Sequence, residues 1–142
     1  MILKMIGAFL ATAALSVVFE APRKYILHAG IAGAMSWGIY LAVMEWKSNA
    51  VIATFVATAI LTLISHTMAV ICKAPVTMFL IPAVIPLVPG AGMYRVAYSL
   101  LYENGPAAAM YGYQTLQLAG AIAFGIFFID VLFRNRQLLH RK

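Results

Sequence analysis

Apolar residues fill this chain in long runs broken only by brief polar clusters. The runs extend from about Ile2 to Phe19, Tyr25 to Met44, Ala50 to Cys72, Val76 to Tyr102 and Tyr111 to Phe133. Between them lie Glu20-Ala21-Pro22-Arg23-Lys24, then Glu45 to Asn49, then Lys73-Ala74-Pro75, and finally Glu103-Asn104-Gly105-Pro106. A helix that crosses a bilayer needs roughly 20 mostly apolar residues at about 1.5 Å rise each, so the pattern predicts an all-α integral membrane protein of about five crossings. The runs have the length of spans, and the clusters between them hold the charge and proline that end helices. Met1 to Phe19, a lysine followed by an apolar stretch, superficially fits a signal peptide. Its run is long, however, and further segments follow at once, so it reads as a span.

The fourth run is different. Pro82, Pro86, Pro89, Gly90 and Gly92 crowd its centre. Each interior proline removes a backbone donor and clashes with the preceding turn, so this run is expected to break or kink. Irregular backbone at membrane depth survives only when buried in protein or lining a wet cavity. The segment from Pro86 to Arg95 is therefore the first place to look for a site.

Composition agrees with a membrane assignment. Of 142 residues, 64% are hydrophobic and 10% charged, against about a quarter charged in soluble domains. The formal charge of +6 does not point to nucleic acid, because the basic residues stand singly or in pairs at the ends of apolar runs. They read instead as orientation signals. With about five crossings and the N-terminus outside, Arg23, Lys24, Lys73, Arg134, Arg136, Arg141 and Lys142 all fall inside, leaving Lys4 and Lys47 outside. The expected topology is N-out and C-in, in a single membrane domain covering 1–142 with a basic tail at 134–142. Cys72 stands alone, and no Cys/His spacing, nucleotide loop or serine-histidine-acid constellation is present, so no metal, cofactor or catalysis is expected.

The candidate chemistry concentrates in two places. When a helix restarts inside the membrane its first amides are unpaired and carry the positive end of the helix dipole, which suits a carboxylate. Pro86 and Pro89 supply the break, Gly90 and Gly92 let backbone approach a ligand, and Tyr94 and Arg95 follow within about a turn. Arg95 offers a planar fork for a carboxylate. The competing reading has it reaching the outer interface or pairing with Glu103. On the third run, Thr54, Thr58, Thr62, Ser65 and His66 recur along one helix face. That stripe can be interhelical glue, or the wall of a polar path in which His66 exchanges protons. Gln114, Thr115 and Gln117 on the last run form either a packed polar cluster or part of a vestibule. Asp130, four residues before Arg134, is expected to pair with it locally. Small residues at four-residue spacing (Gly30, Ala34 and Gly38; Gly7 and Ala11; Ala121 and Gly125) signal close helix assembly, within the chain or with a second copy.

With those residues in view, the chain resembles the threonine/serine exporter family, specifically its short form, the small subunit of a two-component exporter. The resemblance rests on Phe19-Glu20-Ala21-Pro22-Arg23-Lys24, on Gly30 to Trp37, and above all on Pro86-Leu87-Val88-Pro89-Gly90-Ala91-Gly92-Met93-Tyr94-Arg95. It implies a subunit of a secondary transporter in the bacterial inner membrane, exporting threonine and serine or dicarboxylates such as succinate. It also implies a separately encoded larger subunit, because the long form's larger half, with its histidine- and glutamate-rich soluble motif, has no counterpart among these residues. The alternative is a non-transporting assembly or accessory protein in which the proline motif is only a kink.

Overall fold

The computed structural model describes residues 1–102 and 105–139, with side chains as far as Asn135, and among the described residues all regular structure is helical. The helices are α1 (Ile2–Val18), α2 (Arg23–Lys47), α3 (Ala50–Cys72), α4 (Thr77–Val84), α5 (Gly90–Tyr102) and α6 (Gly105–Leu139), with a 3₁₀ turn over Ile85–Leu87.

Three tight turns make the first four helices fold back on one another. Each turn holds one non-glycine residue in the left-handed region: Glu20 at φ 55°, Ser48 at φ 50° and Lys73 at φ 49°. The conformation costs a side chain about 1–2 kcal/mol, offset here by hydrogen bonds that end the helices. Ala21 N–H donates to the Ser16 carbonyl at 2.9 Å, and Ala74 N–H to the Ala69 carbonyl at 3.1 Å. Asn49 caps α3, its side-chain oxygen accepting from the amides of Val51 at 3.0 Å and Ile52 at 3.2 Å.

The helices approach closely because small residues face one another. A methyl group on Gly33 of α2 would overlap Thr12 of α1, and one on Gly125 of α6 would sit 3.0 Å from Thr58 Cβ of α3. Backbones without side chains between them gain van der Waals contact, the main driving force for helix pairing in lipid. Gly30 and Gly38 also pack against α1, on Phe9 and Met5, so this stripe is spent inside the chain. Helix α4 enters the middle of the bundle and packs on α1, α2 and α3. Leu80, Ala83 and the turn residue Leu87 join Ala32, Ala57 and Leu61 in one core cluster. Phe79 joins Tyr25, Ala29 and Ala69 in a second, with the Tyr25 and Phe79 rings edge to face at 5.5 Å. Tyr25 also ties α2 to the end of α3, its hydroxyl donating to the Cys72 carbonyl at 3.0 Å.

Helices α2, α3 and α6 are long and apolar enough to cross a membrane, and the bent pair formed by α4 with its 3₁₀ turn and α5 makes a fourth candidate. Helix α1 is apolar but shorter, at 17 residues. Large apolar side chains such as Leu3, Val18, Ile71, Leu116, Phe124 and Phe127 point outward, as lipid-facing surfaces require. The fold gathers Arg23, Lys24, Lys73 and Arg134 toward one end of the bundle and Lys4 and Lys47 toward the other.

The helix limits expected from sequence need correction at three points. Helix α2 runs from Arg23 through Lys47, absorbing charges that the pattern assigned to turns, because terminal charged residues keep helical geometry while their heads reach outward. Helix α6 begins at Gly105 and continues past Arg134 to Leu139. Pro106 does not delay it, because a proline in the first turn gives up an amide that would have no helical partner anyway. Pro82 lies inside α4 without ending it. The break comes only at the second and third prolines. Glu103, Arg141 and Lys142 lie outside the described residues.

Candidate functional site

The break in the fourth run is a short, well-defined structure. After α4 the 3₁₀ turn ends at Val88, which is extended at φ −63°, ψ 132°. Pro89 follows and α5 starts at Gly90, bent by 48° from the preceding helix. The Pro89 carbonyl accepts the first hydrogen bond of α5, from Met93 N–H at 3.1 Å, while Gly90 N–H turns back to Val88 at 2.8 Å. The amides of Ala91 and Gly92 are thus the first-turn donors of a restarted helix, at the positive end of its dipole.

These residues wall a cavity of about 430 Å³ with a substantial polar part to its lining. Its floor is the broken backbone from Pro86 to Gly92. One side is α6, through Tyr111, Gln114, Thr115 and Leu118, and the other is Trp37 and Tyr40 of α2 with Thr54 of α3. Arg95, one turn into α5, also lines it, with its guanidinium 5.8 Å from the Tyr111 ring. That contact orients the cation without neutralising it, leaving its donors available. Gly92 makes the geometry feasible, since any side chain there would overlap Thr115 Oγ1. Thr115 in turn is held by donating its hydroxyl to the Tyr111 carbonyl at 2.7 Å. Trp37 and Tyr40 stack at 5.1 Å and form an aromatic wall opposite the charge. A larger cavity of about 530 Å³ between Phe55 and Phe124 is almost wholly apolar, which suits lipid rather than chemistry.

The cavity brings together Pro86, Pro89, Gly90, Gly92 and Arg95 of the predicted set, and with them Thr54, Gln114 and Thr115. It does not include Tyr94, which lies exposed on α5 and stacks on Tyr98 at 6.1 Å. Thr58 and Thr62 are fully buried along α3, each donating its hydroxyl to the carbonyl one turn back, Thr54 and Thr58 respectively. His66 lies farther along α3 and is bonded to Asp130, its Nε2–H donating to Oδ1 at 2.5 Å. The expected local pair of Asp130 with Arg134 is therefore replaced by a contact between α3 and α6. Trp37, Tyr40 and Tyr111 were not read from sequence as cavity residues. Aromatic residues near the ends of apolar runs signal the membrane interface equally well.

An arginine, a fresh helix start and the side-chain amide and hydroxyls of Gln114, Thr54 and Thr115 converge on one cavity at a broken span. The family model described as Threonine/Serine exporter, ThrE, matches residues 4–132. The chain belongs to the threonine/serine exporter family. Nothing among curated proteins or solved structures matches it. Members of the threonine/serine exporter family are transporters and not enzymes, and the apolar helices of this one make it a multi-pass membrane protein. The motif from Pro86 to Arg95 that suggested the threonine/serine exporter family is also the segment that walls the cavity.

Proposed function

We propose that this protein is one subunit of a secondary transporter of the bacterial inner membrane. It exports small metabolites bearing a carboxylate, threonine and serine or dicarboxylates such as succinate, together with a separately encoded larger subunit. The chain crosses about five times, N-out and C-in, counting α1 and the bent pair as spans. The observation that carries this reading is the convergence of Arg95 with the Ala91 and Gly92 amides on the cavity at the break. A charged fork beside a positive helix end favours a carboxylate, and Gln114 and Thr115 add neutral groups able to bond the amine or hydroxyl of an amino acid. A bare arginine within a span costs at least about 2.5 kcal/mol, so a partner, water or substrate must face it. The larger subunit is the natural cover for a cavity whose Arg95 and Gln114 are exposed on the isolated chain.

Two of the small-residue stripes do not favour the accessory-protein reading, because Gly30, Gly33, Gly38 and Gly125 are occupied within this chain, while the face at Gly7 stays open. The test is efflux of labelled threonine, serine and succinate from vesicles holding the chain alone, with the larger subunit, and with Arg95→Gln. Efflux that requires the partner and is lost in the variant is expected. Undiminished efflux with Arg95→Gln would leave the break as a structural kink.

A further inference from the structure

Far from the cavity, α3 and α6 share an ionisable contact. His66 and Asp130, 64 positions apart in sequence, meet at 2.5 Å, and the His66 ring stacks on Phe133 at 4.4 Å. Both residues lie in candidate spans, with His66 mostly covered at 16% exposure and Asp130 half-exposed at 51%. It is the one close contact between an acidic and a basic side chain among the described residues. Charges inside spans are expensive and are kept where a pathway or a proton uses them.

The surroundings separate this pair from ordinary packing. On α3 itself, the nearest other ionisable groups are Cys72 and the terminal Lys73. From α6, the other charged group on this side with a described side chain is Arg134, one turn beyond Asp130. From α2 come Arg23, Lys24, Tyr25 and His28, opposite the end of α3. Tyr25 is engaged by the Cys72 carbonyl, and His28 Nδ1 by the Lys24 carbonyl at 3.1 Å. Helix α4 brings no titratable group. Next to His66 in sequence, Ser65 Oγ is fully buried with no hydrogen-bond partner among the described residues.

The pair also shares its two helices with the cavity. Thr54 of α3 and Gln114 and Thr115 of α6 line the cavity, about 18 Å from His66 along α3 at 1.5 Å per residue. Between these ends α3 and α6 touch without clearance at Thr58 and Gly125. Helices α3 and α6 thus join the pair to the cavity walls through one contiguous packed contact.

Resting on the carrier reading above, we infer that His66 and Asp130 form the proton-binding site that couples export to the proton gradient. A proton taken up from one face of the membrane is held between His66 Nε2 and Asp130 Oδ1 and released to the other face as the cavity changes access. No covalent bond is made or broken, and the carboxylate travels separately through the cavity.

The test uses vesicles containing the full chain and its larger subunit, with labelled threonine and succinate as substrates and a pH-sensitive dye inside. His66→Gln and Asp130→Asn are compared with the native protein and with Asp130→Glu. The native protein is expected to move protons with substrate and to concentrate substrate against its gradient when a pH difference is imposed. In His66→Gln and Asp130→Asn, substrate-for-substrate exchange should persist within about twofold, while proton movement and gradient-driven accumulation are lost; Asp130→Glu should recover part of both. Two results overturn the assignment: unchanged proton movement in both variants, or loss of exchange along with it in both, the mark of a structural clamp. Native vesicles that move neither substrate would sink the carrier reading itself, a result distinguishable because it appears before any substitution.

Discussion

The two halves of the broken span lead different lives. In α4, Phe79, Leu80, Pro82 and Ala83 are all buried, and the helix is gripped by α1, α2 and α3. In α5, Ser99 is the buried residue, and the helix rests chiefly on α6. The same apolar run thus supplies an anchor and an arm. Between them sit Pro86 and Pro89, which forbid a continuous hydrogen-bond ladder and so let the halves adopt separate neighbours. The lesson is that stability and chemistry are divided across the break: the anchor fills the core, while the arm carries Arg95 and the first-turn amides to the cavity.

That division can be broken from either side. Phe79→Ala should have the largest effect, destabilising the protein by about 3–5 kcal/mol through the cavity it leaves. Thermal unfolding in detergent would register it, while the surviving folded fraction should keep normal substrate affinity. Arg95→Gln should do the reverse. Loss of a charged hydrogen bond worth about 1.5–3 kcal/mol weakens carboxylate binding roughly 10- to 150-fold, with unfolding temperature and membrane abundance unchanged. Gly92→Leu tests the joint between arm and α6. Its side chain must displace Thr115, an overpacking cost of about 1–3 kcal/mol, so binding and transport should both fall while the anchor's packing, followed by Tyr25 fluorescence, persists. The smallest effect is expected for Thr62→Val, at under about 1 kcal/mol, because the lost hydroxyl bonds only its own helix. Substrate binding there should be unaltered; a marked loss of affinity would move the site from the break onto the threonine stripe.

Much of the architecture was legible in the sequence because lipid imposes a simple rule: apolar runs of span length become helices, and charges gather at their ends. Each run became a helix or, for the fourth, a bent pair. The proline and glycine content of Pro86 to Arg95 located the cavity's floor, since backbone that cannot continue a helix must line something. What escaped the sequence depends on register between helices. That Pro82 could stay helical while Pro86 and Pro89 could not was not visible in the residue types. Trp37, Tyr40 and Tyr111 joined the cavity through the way α2 and α6 pack around the break, and spacing along one helix says nothing about that. Asp130 has a plausible partner at Arg134 four residues away. Its actual partner, His66, is supplied by the close approach of α3 and α6 that Gly125 permits.

The most direct test of the central claim, that a carboxylate occupies the cavity at the break, is substrate protection of a reporter placed inside it. Ala91 lines the cavity and is exposed there, so Ala91→Cys in a Cys72→Ala background can be labelled with a water-soluble maleimide. The account predicts that threonine, serine or succinate slows labelling, and that Arg95→Gln abolishes this protection, each variant being compared with its own rate without acid. Labelling at one rate with and without every one of these acids would contradict it.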